Sequence, residues 1–359
     1  MSLHVGVVFG SRSCEHEISI ISAMQVMKAL QPNYHVIPIY IDKDGIFYSH
    51  PSFLSLTTFQ NSVLKKGWQV VLKRKKGKPD VYLQYRNPLK QVERIDVLFP
   101  VLHGRNGEDG CFQGLAEILN IPYVGCDVLA SAITMSKLTS KRLLESYGIA
   151  VVPYYELTKE KKEKRFFPCI LKPDTLGSSI GIEIVKVENE WEEKTAKVLL
   201  FDERVIVEPY LESFIEINCS VYQCQGEYRI SHLEQVNRKE EILSFHEKYE
   251  KEGSKNTRII APDLDEDCGE KIKAIAKKVY QLLHLQGVIR IDFFVQNGTI
   301  YVNEVNAIPG SYAFYLWNQD FSKLLTDVIQ ESLHHYARKE SRVDHFETDV
   351  LFHFNGSKK

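Results

Sequence analysis

Short apolar runs alternate with helical patterns in the first third of the chain, and this alternation constrains the fold more than any other feature of the sequence. Three runs rich in β-branched and aromatic side chains predict buried strands: residues 3–9, 35–41 and 95–100. A helical pattern lies between the first two runs, and residues 113–119 predict a second helix with Leu115, Ile118 and Leu119 facing inward. Strands that alternate with helices predict a mostly parallel sheet covered on both faces.

The rest of the chain predicts further units. At 359 residues it is long enough for two to three domains. Residues 45–94 fit the alternation poorly and are interpreted as an insertion, whose basic run at 73–78 predicts a solvated hairpin or loop. Residues 128–147 predict one long helix with Gly148 as its C-cap, and the apolar part of the tail at 344–359 is expected to pack against the fold. Later strands are predicted at 167–172, 182–187, 205–208, 215–222, 288–295 and 299–305, with an amphipathic helix through 272–283.

Charge and apolar pattern exclude several classes of protein. The 45 Lys and Arg residues balance 47 Asp and Glu residues, so the basic face of a duplex nucleic-acid binder is not expected. No apolar run approaches the roughly 20 residues of a membrane span, and residues 1–5 lack a secretory pattern. Seven scattered cysteines, odd in number and without zinc-like spacing, predict reduced thiols in a cytosolic protein.

The loop Leu176-Gly177-Ser178-Ser179-Ile180-Gly181 lies between two predicted strands. Glycines let the backbone approach an anion, so the loop's N–H groups and hydroxyls can bind phosphate oxygens. Lys172 closes the preceding strand and can add a charged contact. An ordinary tight hairpin is the alternative, and the loop is neither a Walker loop nor a dinucleotide fingerprint.

Two polar-apolar alternations near residue 300 predict a magnesium site. Arg290 and Asp292 share one face of a strand, and Glu304 and Asn306 share one face of the next. Oxygen ligands on adjacent strands suit Mg²⁺. A two-residue turn at 297–298 would turn Glu304 to the opposite face from Asp292, so we predict an odd-length loop or a bulge. The alternative is the solvent-facing side of a simple hairpin.

Two further loops follow predicted strands: residues 10–17 and 103–110. Loops at the carboxyl ends of parallel strands are where α/β folds bind ligands. Either loop can also be a plain connection, and a lone His or Glu there is more often structural.

Together these motifs resemble the D-alanine–D-alanine ligases of the ATP-grasp superfamily. The similarity runs from Val5 to about Trp317 in the family order, and it implies an α/β fold in which an N-terminal open parallel-sheet domain precedes a two-part ATP-grasp fold. The stretches that carry it are Phe9-Gly10-Ser11-Arg12-Ser13-Cys14-Glu15-His16-Glu17, His103-Gly104 with Gly107-Glu108-Asp109-Gly110, Ile121-Pro122-Tyr123-Val124-Gly125, Lys172-Pro173 with Gly177-Ser178-Ser179 and Gly181, Glu247-Lys248-Tyr249, and Arg290-Ile291-Asp292 with Asn303-Glu304-Val305-Asn306 and Pro309-Gly310.

The resemblance implies an enzyme that joins two D-alanines for peptidoglycan synthesis, using ATP and two Mg²⁺ ions, with Mn²⁺ as a substitute. Its domains would be 1–127, with the insertion at 45–94, then 128–218 and 219–359, and the family is commonly homodimeric. ATP would bind between the last two units. The implied nucleotide contacts are Lys137, Lys172, Ser179, Glu208, Leu211 and Glu216. Glu216 matches the family pattern only with a one-residue insertion after Ser213. The implied metal ligands are Asp292, Glu304 and Asn306.

Further roles carried by the resemblance concern the two amino acids. Glu15 would hold the first ammonium, and His103 would orient the first carboxylate. Arg290 and the N–H of Gly310 would stabilise the tetrahedral intermediate, while Ser178, Lys248 and Tyr249 would belong to loops that close over the site. The second amino acid would meet Tyr315 and Leu316.

Departures from the family pattern cluster at the second substrate. Ala307 replaces a usual Thr, Ser311-Tyr312 replace a bulky residue and Thr, and Tyr315 replaces a Ser that binds the second carboxylate. A tyrosine hydroxyl can still donate a hydrogen bond but reaches further. Either the change is compensated within a D-alanine ligase, or the second substrate differs, for example D-serine.

Two other classes of function fit the sequence less well. A nucleotide-binding protein without catalysis has no reason to keep every metal ligand. A nicotinamide-dependent dehydrogenase would need a glycine fingerprint after the first strand, where Gly10-Ser11-Arg12-Ser13 stands instead.

Overall fold

The computed structural model describes residues 2–60, 67–75, 78–84, 89–157, 165–236, 258–260, 262, 264–343 and 346–353. The strands are β1 His4–Gly10, β2 His35–Ile41, β3 Phe47–Ser49, β4 Trp68–Lys75, β5 Lys78–Gln84, β6 Leu89–Arg94, β7 Val97–Val101, β8 Tyr155–Leu157, β9 Cys169–Pro173, β10 Glu183–Val185, β11 Val205–Pro209, β12 Ile215–Cys224, β13 Glu227–Ile230, β14 Glu234–Val236, β15 Arg258–Ile260, β16 Ile289–Gln296 and β17 Thr299–Asn306. The α-helices are α1 His16–Leu30, α2 Thr57–Gln60, α3 Cys111–Ile118, α4 Val128–Met135, α5 Lys137–Ser146, α6 Trp191–Val198, α7 Glu266–Leu282, α8 Phe321–Glu340 and α9 Val350–His353, with 3₁₀ segments at Pro51–Leu54, Glu188–Glu190 and Gly310–Leu316.

The first sheet has seven strands in the order β6-β5-β4-β3-β2-β1-β7. β1 pairs in parallel with β2 and with β7, as the strand–helix alternation predicts. The remaining pairs, from β2 to β6, are antiparallel, so the parallel part is confined to three strands. The insertion thus extends the same sheet, and the described part of its basic run lies at the paired ends of β4 and β5, with Lys75 opposite Lys78, as the predicted hairpin requires.

The inward face predicted for α3 is wrong. Ile118 is 85% exposed, whereas Phe112 and Ala116 are buried, and Leu115 and Leu119 are only half-buried. The helix begins at Cys111, directly after Gly110 in a left-handed conformation, and this start sets the helix rotation that turns Phe112 and Ala116 toward the sheet.

The single helix predicted over 128–147 is two helices, α4 and α5, separated at Ser136. Ser136 has an extended backbone, and its hydroxyl accepts a hydrogen bond from the Thr139 N–H as the N-cap of α5. The Ser136 hydroxyl also donates to the buried carboxylate of Asp174, and Asp174 accepts from the N–H of Leu138 at 2.8 Å. The break therefore ties α5 to the end of β9. Gly148, with a φ of 69°, is the left-handed residue that follows the helix, as predicted.

Two antiparallel sheets follow. Four strands pair in the order β10-β9-β11-β8, and the last sheet runs β15-β14-β12-β16-β17 with β13 beside β12. In the last sheet, side chains such as Ile217, Cys219, Ile291 and Phe293 are fully buried against the amphipathic helix α7. The opposite face of this sheet is polar and faces the four-stranded sheet across a cleft.

The predicted bulge is present in the hairpin of β16 and β17. A two-residue turn joins Gln296 to Thr299, Phe293 pairs with Val302, and the register shifts by one residue between Asp292 and Phe293. The shift places Asp292 opposite Glu304 and leaves Asn303 as the extra residue. One inserted residue thus keeps both acidic side chains on the same face.

The described part of the tail contradicts its predicted packing. Val350, Leu351 and Phe352 form the short helix α9 and are 62%, 88% and 88% exposed. All seven cysteines are free. Within the described ranges, none of the helices has the length and apolar character to cross a membrane.

Replacing Asp174 with asparagine should destabilise the protein, because an amide cannot accept from both Ser136 and Leu138 and still pair with Arg204, whose Nη1 lies 3.3 Å from Asp174 Oδ2. We expect a loss of about 2 kcal/mol in the free energy of unfolding, measured with urea. The exposed Asp267→Asn on α7 is the control and should change it by less than about 0.5 kcal/mol. Equal effects from the two variants would contradict the role given to Asp174.

Candidate active site

The cleft between the last two sheets gathers most of the polar residues that the sequence singles out. Strands β9 and β11 and the loop after β9 form one wall, and β12, β16 and β17 form the other. The lining residues are Lys137, Lys141, Val152, Ile170, Lys172, Leu176, Gly177, Ser178, Ser179, Ile182, Glu208, Pro209, Tyr210, Leu211, Phe214, Glu216, Asp292, Phe294, Asn303 and Glu304.

A buried carboxylate holds two lysines at the back of the cleft. Glu208 Oε1 lies 2.8 Å from Lys141 Nζ, and Glu208 Oε2 lies 2.6 Å from Lys172 Nζ. Burial alone would raise the pKa of Glu208, but the two ammonium groups outweigh it and lower the pKa to about 2. Each carboxylate oxygen of Glu208 therefore faces one ammonium group.

Lys137 is the first residue of α5, so the helix break at Ser136 aims it into the cleft. Its ammonium lies 2.9 Å from Glu304 Oε1 and donates to the carbonyl of Leu176 at 2.6 Å. Burial opposes the charge, but Glu304 raises the pKa of Lys137 above its usual value. Lys137 therefore links the β9–β10 loop to the β16–β17 hairpin, which carries Asp292 and Glu304 and is called the acidic hairpin below.

The acidic hairpin presents Asp292 and Glu304 side by side, as the bulge requires. Arg290 donates two hydrogen bonds to Asp292, of 2.7 and 2.9 Å, and Asn306 Nδ2 donates to Asp292 Oδ2 at 3.1 Å. Burial opposes the charge of Arg290, but Asp292 raises its pKa well above the usual range. Two carboxylates and one amide oxygen on one face form a donor set that suits Mg²⁺.

The glycine-serine loop and both predicted strand-end loops meet at Glu15. The Ser178 hydroxyl donates to Glu15 Oε1, and a Cβ on Gly104 would come within 2.9 Å of Glu15 Oε2. Ser178 and Ser179 have φ values of 54° and 60°, the left-handed region that costs non-glycine residues roughly 1–2 kcal/mol each. Such strain is typical of functional loops, and this loop is held over the cleft by Glu15.

Two titratable groups lie in the loop after β7, the buried His103 and the half-buried Glu108. Burial lowers the pKa of His103 to about 4, and its Nε2 lies 3.0 Å from the Ser22 hydroxyl. Glu108 accepts hydrogen bonds from the N–H groups of Gly104 and Ile308, at 2.7 and 3.2 Å. Burial, followed by the neighbouring Glu15 carboxylate, raises the pKa of Glu108 to about 8. The two pKa shifts both favour the uncharged form of the side chain.

The predicted residues for the second amino acid lie apart from the cleft lining. Leu316 is fully buried, so its side chain is packed into the fold. Tyr315 is half-buried, and its hydroxyl lies 3.5 Å from Glu234 Oε2. Gly310 begins a 3₁₀ segment in which the next three residues have positive φ values. Lys248 and Tyr249 lie outside the described residues.

The comparison with protein families is decisive. The chain matches the model of the D-ala D-ala ligase N-terminus over residues 4–126 and that of the D-ala D-ala ligase C-terminus over residues 143–324. It is 40% identical to the D-alanine–D-alanine ligase of Thermosipho melanesiensis, over 97% of this chain and 98% of that one.

The chain belongs to the D-alanine–D-alanine ligase family.

Solved structures of this ligase family show the same fold. The D-alanine–D-alanine ligase of Coxiella burnetii has a TM-score of 0.81 and 28% identity, covering 94% of this chain and 96% of that chain. The VanG D-Ala:D-Ser ligase of Enterococcus faecalis has a TM-score of 0.78 and 29% identity, covering 92% and 100%. The predicted ATP-grasp fold and the assignment as an enzyme of this family are confirmed.

Sequence reasoning missed several residues of this ligase-family site. Lys141 lies one helical turn after Lys137, a spacing that could have signalled it. Asn303, at 3.5 Å from Lys172 Nζ, faces the cleft only because of the bulge. Glu108 stands in the 103–110 stretch that carries the family resemblance but was assigned no role, and Glu234 gave no signal beyond its acidic character.

Changing Glu208 to glutamine should destabilise the protein by about 3 kcal/mol, because Lys141 and Lys172 lose their buried partner. The pKa of Glu208 is depressed, so its contribution is complete above its ordinary value of 4.5 and is lost as the pH falls toward about 2. The stability gap between wild type and variant in urea should therefore shrink from pH 5 downward.

The exposed Glu193→Gln on α6 is the matched control and should leave no measurable stability gap at any pH. A gap for Glu208→Gln that is small at pH 7, or that stays constant on acidification, would argue against the buried pair of lysines.

Proposed function

We propose that the protein joins two D-alanines into D-alanyl-D-alanine, with ATP as the energy source, as a step of peptidoglycan synthesis. The observation that carries this proposal is the convergence of Lys137, Lys172 and the Asp292–Glu304 pair on one cleft. Lysines of this kind bind phosphate oxygens, and the adjacent carboxylates suit the cations that accompany them.

The proposed chemistry begins with a carboxylate, whose carbon is a poor electrophile at neutral pH. The carboxylate of the first amino acid attacks the γ-phosphorus of ATP, so ADP leaves and an acyl phosphate forms. The amine of the second amino acid then attacks the acyl carbon, and the tetrahedral intermediate expels phosphate as the peptide bond forms. Both stages concentrate negative charge, which cations and N–H donors stabilise.

For the nucleotide, Lys137 and Lys172 contact phosphates, and Ser178 and Ser179 supply the loop that covers them. The adenine lies against the backbone of Glu208 and against Leu211, and Glu216 binds the ribose. All of these residues line the same cleft. Lys141 holds Glu208 in place from the α5 side.

Asp292, Glu304 and Asn306 would hold two Mg²⁺ ions, with Mn²⁺ as a substitute, and the fit rests on the bulge that puts their oxygens on one face. Bound there, the ions would neutralise the charge of the phosphates during transfer. Arg290, fixed by two hydrogen bonds to Asp292, is already oriented along the same face.

For the amino acids, Glu15 binds the first ammonium, and His103 orients the first carboxylate as a neutral imidazole, in line with its low pKa. The raised pKa of Glu108 favours its protonated form, which limits the repulsion beside Glu15. Arg290 and the Gly310 N–H stabilise the intermediate, and Lys248 and Tyr249 complete the cover that excludes water from the acyl phosphate.

D-serine is the second candidate for the acceptor, because Tyr315 stands at the second-substrate position and a D-Ala:D-Ser ligase shares the fold. We also propose that the protein works as a cytoplasmic homodimer, with domains at 1–127, 128–218 and 219–359.

The experiment that tests the function measures phosphate release from Mg-ATP and identifies the products by mass. We expect D-alanyl-D-alanine from D-alanine alone, and no product when Mg²⁺ is chelated. Turnover only with an added second acceptor, such as D-serine or D-lactate, would assign a different acceptor. Absence of phosphate release with every pair would overturn the proposal.

A further inference from the structure

One row of polar residues crosses four strands of the last sheet. Asn218 on β12 pairs with Asp292 on β16 and with Glu234 on β14, while Asp292 pairs with Glu304 on β17. Residues directly opposite each other on paired strands point to the same face. Glu234 therefore lies on the same face as the two acidic residues of the hairpin, two strands away from Asp292.

Glu234 is completely buried and is held by its neighbours. Asn218 Nδ2 donates a hydrogen bond of 2.8 Å to Glu234 Oε2, the oxygen that lies 3.5 Å from the Tyr315 hydroxyl. The backbone around them is fixed as well, since the His232 N–H donates to the carbonyl of Leu316 at 3.1 Å. The buried carboxylate and the phenol thus belong to one connected unit.

Arg290 belongs to the acidic hairpin and interacts electrostatically with this unit. Its guanidinium donates to Asp292, and besides Asp292 both Tyr315 and Glu234 act electrostatically to raise its pKa. The residue proposed to stabilise the intermediate therefore interacts with Asp292 by hydrogen bonds and with Tyr315 and Glu234 electrostatically.

We propose that Glu234 is a positioning residue that fixes the direction of the Tyr315 hydroxyl for the second amino acid. This inference rests on the proposed function, in which Tyr315 faces the acceptor. A carboxylate accepts the phenolic proton, so the lone pairs of Tyr315 Oη point away from Glu234. Tyr315 then accepts a hydrogen bond from the amino group of the acceptor, rather than donating one to its carboxylate.

The 3.5 Å separation is long for a hydrogen bond, and hydrogen bonds at catalytic sites often tighten only when the substrate is bound. The acceptor class that this arrangement recognises is a small α-amino acid with an N–H donor. In this arrangement Tyr315 and Glu234 contribute to binding of the acceptor, and other residues bind the nucleotide and the first amino acid.

The test is a double-mutant cycle with Tyr315→Phe, which removes the hydroxyl, and Glu234→Leu, which removes its acceptor. Each variant should raise the second of the two apparent KM values for D-alanine about tenfold, with the first KM and the KM for ATP within about twofold of wild type. The double variant should be no worse than the poorer single variant, because both changes remove the same contact.

Glu234→Gln keeps an acceptor oxygen and should restore most of the second KM, which a merely structural role would not predict. The exposed Glu227→Gln on β13 is the control for losing a carboxylate and should change nothing. If Glu234→Leu does not fold, Glu234→Ala takes its place in the cycle, and Tyr315→Phe alone must still raise the second KM.

Three results would overturn the inference. An unchanged second KM in Tyr315→Phe would show that the hydroxyl does not contact the acceptor. Additive effects in the double variant would show that Glu234 does not act through Tyr315. An equal rise in every KM would indicate general disruption. In all three cases the wild type still makes dipeptide, whereas a wild type that releases no phosphate would overturn the proposed function itself.

Discussion

The inserted residue in the β16–β17 hairpin is the constraint on which the site depends. Without it, a two-residue turn would place Asp292 opposite Asn303 and send Glu304 into the apolar face that packs on α7. With it, Asp292 and Glu304 share the cleft face while Phe293 and Val302 stay buried. Core packing and the acidic pair are therefore compatible only in the bulged register.

The cations of the cleft are already oriented before any nucleotide enters. Glu208 holds Lys141 and Lys172, Glu304 holds Lys137, and Asp292 holds Arg290. Buried ion pairs contribute little net stability, because desolvation offsets much of their attraction. What they supply is position, since Glu304 and the start of α5 fix the ammonium of Lys137 in the cleft.

Local sequence patterns predicted the elements that depend on neighbours along the chain. The parallel pairing of β1, β2 and β7 and the bulged register follow from alternation and from the need to keep acids on one face. The break at Ser136 was not predictable, because its partner Asp174 lies on a different element. Glu234 was missed for the same reason: only the pairing of β14 with β12 brings it level with Asp292.

Phosphorylation of the first carboxylate by ATP can be tested by following oxygen from the first amino acid into the released phosphate. D-Alanine labelled with ¹⁸O in its carboxyl group is turned over with Mg-ATP, and the released phosphate is analysed by mass. We expect one labelled oxygen in each phosphate, and as much labelled phosphate as dipeptide. The reason is that the carboxylate oxygen that attacks phosphorus stays on the phosphate when the phosphate leaves. Unlabelled phosphate would show that the carboxylate is not the group that ATP phosphorylates.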